Sequence, residues 1–127
     1  MNLLLVDTDI LIDVGRAERK AVERLKNEES KFSLAVSSVT QMELIIGCRN
    51  KTELKLLDKF LNKLEIISIS EVISSKSIEL LKKYRLSHGL LIADCLIAST
   101  AIIFDISLLS KNQKDYKFIE NLKLQNY

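Results

Sequence analysis

Proline and tryptophan are absent from this chain of 127 residues, and glycine occurs three times. Linkers and disordered segments are built from Pro, Gly and polar tracts. Their scarcity excludes a low-complexity protein and points to closely spaced regular elements. Cysteine is scarce too: Cys48 and Cys95 lie far apart and form no CxxC pair, which argues against a zinc site or a redox motif and makes buried free thiols the expectation. Neither sign of charge dominates. Nineteen Lys and Arg face seventeen Asp and Glu, a formal net charge of +2, so bulk electrostatics neither announces nor excludes a nucleic-acid partner. The longest apolar run, Leu90 to Phe104, is interrupted by Asp94, Ser99 and Thr100 and is too short to cross a bilayer. The first residues lack the basic segment and apolar core of an export signal, and a cytoplasmic protein is expected.

What the chain does have is 47% hydrophobic residues, enough for a real core, in a length that suits one domain over residues 1–127. Leu3-Leu4-Leu5-Val6 runs straight into Asp7 and Asp9 and reads as a strand buried on both faces at the centre of a parallel sheet. Further strands are predicted at Phe32–Val36, Glu65–Ile69 and Ile106–Leu109, with an edge strand at Leu122–Gln125. Helical patterns fill the intervals. Ile10–Val14 is followed by Ala17–Asn27, with Ala21, Val22 and Leu25 on one face. The capping box Ser38-Val39-Thr40-Gln41 makes Ser38 the N-cap of a helix ending near Gly47. In Lys51–Leu64, Lys51, Lys55, Lys59 and Lys63 form a four-step row facing solvent. A second capping box, Ser68-Ile69-Ser70-Glu71, opens a helix to about Leu86, closed by His88-Gly89, where His88 suits the negative end of the helix dipole and is left out of the chemistry. The buried helix Leu91–Ile103 and a short helix Asp115–Asn121 complete the chain. Strands alternating with helices imply right-handed crossovers, hence an α/β fold in three α/β/α layers with a central parallel sheet of four to five strands.

In such sheets ligands sit beyond the carboxyl ends of the strands, so Asp7 and Asp9 are candidate working residues, although a carboxylate there can also simply cap the next helix. Asn112 and Asp115, just past the fourth strand, share that address. Glu43 has Met42, Leu44, Ile45 and Ile46 around it, and Asp94 lies in the most apolar helix, beside Leu91, Ile92, Ala93 and Cys95. Neither is expected to be solvated, and a carboxylate among apolar groups is costly unless paired or bound to a cation. Asp7, Glu43, Asp94 and Asp115 are thus expected to converge on one sheet edge. Gathered carboxylates repel, and a raised pKa or a divalent metal relieves them. Oxygen donors without His or Cys select Mg²⁺ or Mn²⁺, which can activate water for in-line attack on a phosphodiester.

In order and spacing these residues resemble the PIN-domain ribonucleases, in particular the VapC-type toxins of bacterial and archaeal toxin–antitoxin pairs. Four motifs carry the resemblance: Val6-Asp7-Thr8-Asp9; Ser38-Val39-Thr40-Gln41-Met42-Glu43-Leu44 with Gly47; Gly89-Leu90-Leu91-Ile92-Ala93-Asp94-Cys95-Leu96-Ile97-Ala98; and Ser110-Lys111-Asn112-Gln113-Lys114-Asp115-Tyr116. The resemblance implies a Mg²⁺- or Mn²⁺-dependent endoribonuclease whose catalytic and metal-binding cluster is Asp7, Glu43, Asp94 and Asp115, with Thr8, Asp9 and Asn112 in support. It also implies a homodimer and a small antitoxin that blocks the site. The chain departs from the family at Asp9, where Asn or Ser is usual, and at Ser110, where Thr is. Asp9 adds a charge that either contributes a metal contact or weakens activity. The lysine row and the basic segment Arg16 to Arg24 could follow an RNA backbone, although a lysine stripe is ordinarily a solvated face.

Two other readings compete. Leu3 to Asp9 also resembles the aspartate-x-aspartate opening of haloacid-dehalogenase phosphatases, with Lys111 late in the chain; against it, Leu11 stands where Thr or Val belongs and no paired acids follow Lys111. The non-enzymatic alternative is a PIN fold that binds RNA or a partner with a site damaged by Asp9, against which the four acids are intact.

Overall fold

Leu3–Val6 forms β1 at the centre of a five-stranded sheet in the computed structural model, which describes residues 2–127. Ser33–Ser37 (β2), Glu65–Ile67 (β3), Ser107–Leu109 (β4) and Leu124–Gln125 (β5) complete the sheet in the order β3-β2-β1-β4-β5, all neighbours parallel. Leu5 stands opposite Ala35 on one side and Leu108 on the other. The unbroken apolar character of β1 follows from burial on both faces. Leu4 and Val6 pack with Ile10, Leu11, Ala21, Leu25 and Leu61, whereas Leu5 packs with Ile73, Leu80, Ile97 and Ala98. Full burial of each such leucine contributes roughly 2 kcal/mol.

The helices are α1 (Thr8–Gly15), α2 (Arg19–Glu29), α3 (Ser38–Ile46), α4 (Lys51–Leu61), α5 (Glu71–His88) and α6 (Ile92–Phe104). The first face lies under α1, α2 and α4, the second under α5 and α6, so the three-layer expectation holds. None of these helices is long and apolar enough to cross a membrane. From β1 the chain steps outward to β2 and β3. The α5–α6 pair then returns it to β4, on the opposite side of β1. This reversal opens a crevice beyond the carboxyl ends of β1 and β4.

Several boundaries differ from those read in the sequence. Ser37, not Ser38, caps α3, its Oγ accepting the Val39 N–H at 3.1 Å; Ser38 is already helical. Ser70, not Ser68, caps α5 through the Ile73 N–H at 3.2 Å. In both cases a serine one or two residues away offers the same cap chemistry, and backbone geometry chooses between them. Strand β3 stops at Ile67 and β4 starts at Ser107, each shorter than expected. The short helix over Asp115–Asn121 is instead a single 3₁₀ turn, Gln113–Asp115, followed by turns. Helix α5 runs to His88, and Gly89 ends it at φ +70°, a left-handed conformation that a side chain would strain. Val22 is only half-buried, while Ala21, Leu25 and Glu28 form the inner face of α2.

Candidate active site

Asp7 follows the last residue of β1 and is 4% exposed, so both anticipated roles meet in one side chain. Its Oδ1 accepts the Thr8 N–H at 2.8 Å, capping α1, while its Oδ2 accepts the Ser110 hydroxyl at 2.7 Å from the end of β4. Parallel pairing of Val6 with Leu109 brings these two strand ends side by side. Ser110, fully buried, also accepts the Asn112 N–H at 3.1 Å and so shapes the loop that carries Asn112 and Asp115. Asp9 is half-buried in the first turn of α1, with Oδ1 on the Ile10 N–H at 2.8 Å and Oδ2 3.5 Å from the Ser110 hydroxyl.

Glu43 corrects an expectation. It is exposed rather than buried, as are its neighbours Met42, Ile45 and Ile46, because α3 turns only Val39 and Thr40 fully inward and its apolar composition extends onto the outer face. Glu43 still reaches the crevice. The Thr8 hydroxyl donates to its Oε1 at 2.7 Å and lies 2.9 Å from the Thr40 hydroxyl. Asp94 enters half-buried from the first turn of α6, and Asp115 stands exposed at the end of the 3₁₀ turn, at the rim. Asn112 is exposed beside it.

Electrostatics bind these positions into one unit. Burial pushes the Asp7 carboxyl above its ordinary range against the hydrogen bonds it accepts, and Glu43 repels it further. Burial and the neighbouring Asp7 push Asp9 up to about 6. Asp94 also rises to about 6, through burial first and then through Asp7, Asp115 and Glu43. Among the described residues no three acids, His or Cys are grouped closely enough to form a ready-made metal cage. The donor chemistry nevertheless fits a hard cation: every contributing atom is a carboxylate oxygen, and the acids crowd one another with only neutral hydroxyl and amide donors on Asp7.

Two contacts carry no signal in the sequence. Tyr116 is 1% exposed, and its hydroxyl donates to Asp94 Oδ1 at 3.2 Å while lying beside Asp7, so one phenol sits between two acids. Burial and both acids drive its pKa far upward, keeping it a donor. Asp13, buried one turn beyond Asp9, pairs with Lys111 Nζ at 2.7 Å. That pair ties α1 to the loop after β4. The basic residues of α2 are partly engaged as well: Arg19 holds Glu23 at 3.1 Å, and Arg24 donates to the Asn126 carbonyl at 2.7 Å. Lys51, Lys55, Lys59 and Lys63 are exposed as expected, although α4 ends at Leu61, short of the last. Cys95 is buried and Cys48 half-buried, both free thiols.

A crevice at the topological switch of a parallel sheet, lined by acids from four separate segments, defines a class, and the family model for the PIN domain matches residues 4–120. The chain belongs to the PIN-domain family. It is 36% identical over 129 residues to Ribonuclease VapC1 of Methanocaldococcus jannaschii, covering 98% of this chain and 86% of the relative. It is 33% identical over 124 residues to Ribonuclease VapC19 of Mycobacterium tuberculosis, covering 94% and 96%. Among solved structures, VapBC2 from Rickettsia felis, bound to a DNA fragment from its promoter, superposes with a TM-score of 0.82 at 30% identity, over 98% of each chain.

Proposed function

We infer that this protein is a divalent-metal-dependent endoribonuclease, the toxin of a toxin–antitoxin pair, with Asp7, Glu43, Asp94 and Asp115 as its metal-binding and catalytic acids. The relatives named ribonuclease VapC support the activity class. The observation that carries the site is Asp7: a buried carboxyl at the β1–β4 crevice, met only by neutral donors, crowded by Asp9 and Glu43 and itself repelling Asp94. Mg²⁺ or Mn²⁺, when bound, supplies an activated water and a counter-charge for the phosphodiester oxygens. The chain's own residues set the stage. Ser110 and the Thr8 N–H fix both oxygens of Asp7, Thr8 aims Glu43 inward, and Tyr116 steadies Asp94. Asp115 and Asn112, exposed at the rim, meet the substrate side. Asp9 joins the cluster as a further oxygen donor.

A small antitoxin and a second copy of the chain are the partners in this reading, and the cytoplasm is its setting. The Rickettsia felis neighbour is a VapBC complex, and another, 29% identical with a TM-score of 0.80, is a toxin–antitoxin complex from Klebsiella pneumoniae. Exposed apolar side chains on α3 and around the α5–α6 turn, including Ile46 at 82% and Leu86 at 100%, suit such contacts. The test is incubation of purified protein with single-stranded RNA in Mn²⁺ or in EDTA. Cleavage only with the metal is expected; a phosphatase would spare the RNA and hydrolyse small phosphate monoesters.

A further inference from the structure

Beside the acid cluster lies an aromatic group that the metal chemistry does not use. His88 and Phe118 stack with ring centroids 4.2 Å apart and planes 9° from parallel. Tyr84 braces both rings edge-on, at 5.9 Å from His88 and 5.3 Å from Phe118, and the Ser87 hydroxyl lies 2.7 Å from His88 Nδ1. The imidazole is therefore fixed flat although His88 is exposed. This pair, with Leu91 and Lys114, lines a pocket whose remaining wall includes Asp94 and Asp115. Its volume is about 170 Å³. Pockets for whole drug-sized ligands run to roughly 300–1,000 Å³, so this one takes a single ring system.

We propose that this pocket seats one unpaired nucleobase of the RNA against the His88 face and thereby positions the adjoining phosphodiester at the acids. The inference rests on the endoribonuclease reading above and adds the substrate contact. A base stacks on any flat aromatic face, whatever its sequence, and a face already immobilised loses little freedom on binding. Lys114 supplies the cation that a neighbouring phosphate needs. Because Asp94 and Asp115 belong both to this wall and to the acid cluster, a base held here brings its own backbone to the reacting acids. The combination of a stacking face, a lysine and the catalytic wall favours a nucleotide over an apolar side chain from a protein partner.

The test uses a short single-stranded oligoribonucleotide that the parent cuts in Mn²⁺, remade with an abasic site at each position flanking the cut in turn. One abasic position is expected to raise the parent's KM about tenfold, within the range that loss of a base–aromatic stack supports. His88→Ala should raise KM on the intact oligonucleotide by a similar factor, with kcat and the Mn²⁺-induced rise in Tm unchanged. Combining variant and abasic site should cost no more than either alone. Phe118→Leu, which keeps an apolar group against the core, should show the same non-additivity. Multiplying effects, or His88→Ala cutting like the parent, would overturn the proposal and leave the pocket to a protein partner. A parent that cuts no RNA would overturn the underlying reading, and the two failures are told apart by the parent alone.

Discussion

Asp7 caps helix α1 and Asp13 lies within it, the two equally buried at 4% and 5% exposure, yet their environments pull them in opposite directions. Asp13 has Lys111 at 2.7 Å, and that ammonium holds its carboxyl below the ordinary range. Asp7 has only neutral donors, the Ser110 hydroxyl, the Thr8 amide and the adjacent Tyr116 phenol, with other acids as neighbours, and burial holds it above the range. A carboxylate supplied with its cation by the chain itself is part of the architecture. A carboxylate crowded by others awaits a cation from solution. Burial alone, which the two share, does not distinguish a fold residue from a working one.

Asp7→Asn probes the sharpest side of this contrast. It keeps the shape and one acceptor, for the Thr8 N–H, and turns an amide donor toward the Ser110 oxygen, so RNA cleavage should fall by roughly 100-fold or more through lost electrostatic stabilisation, while the Tm in EDTA stays level or rises. A matching drop in Tm would make Asp7 a mere helix cap. Asp13→Asn should do the reverse: Lys111, 41% exposed, passes to solvent and the tie between α1 and the loop after β4 is weakened, so the Tm in EDTA should fall modestly below the parent's while the Mn²⁺-induced rise in Tm survives. Should Asp13→Asn abolish that rise with an unchanged Tm, the distinction between the two acids collapses.

The contrast extends to pH. Asp9 and Asp94 hold their protons up to about 6 in the folded chain and release them near 3.8 when unfolded, so over that interval the folded state binds more protons and metal-free stability falls as pH rises, the loss being complete above about 6. Asp13, whose folded pKa is depressed, acts oppositely, its contribution being fully present above 3.8 and lost as pH falls. In EDTA the Tm near pH 5 should therefore exceed that near pH 7.5, and Mn²⁺ should close or invert the gap. A metal-free Tm that climbs steadily across this range would count against the crowded cluster. The smallest effect belongs to Tyr116→Phe, which removes one hydrogen bond to Asp94 and should destabilise by about 1 kcal/mol in chemical denaturation, without the loss of cleavage that Asp7→Asn brings.

Much of this site could be read in the sequence, because strand ends in a parallel sheet are where apolar runs stop. Leu3–Val6 ending at Asp7, and Leu109 ending at Ser110, fall at neighbouring strand ends for that reason. Glu43 is exposed where the sequence predicts burial, since apolar neighbours along a helix do not say which face turns inward. The Tyr116–Asp94 bond spans 22 residues and the Asp13–Lys111 pair 98, so neither has a local signature. His88 reads as the end of a helix, which it is, but its partner Phe118 comes from a turn thirty residues later in a segment whose sequence predicts a helix. Caps slipped by a residue or two because serines cluster at both helix starts.

The most direct measurement is the Tm of the parent and of Asp94→Asn, each in EDTA and in Mn²⁺ at about 100 times the parent's Kd. Binding at that excess stabilises the folded parent by about 2.7 kcal/mol. The parent should melt clearly higher in Mn²⁺. Asp94→Asn, which keeps an acceptor for Tyr116 and sheds one repelling charge, should melt in EDTA at or above the parent and gain little from the metal. A variant markedly less stable than the parent in EDTA, or one that gains as much from Mn²⁺, would contradict the assignment of these acids to a metal-dependent nuclease site.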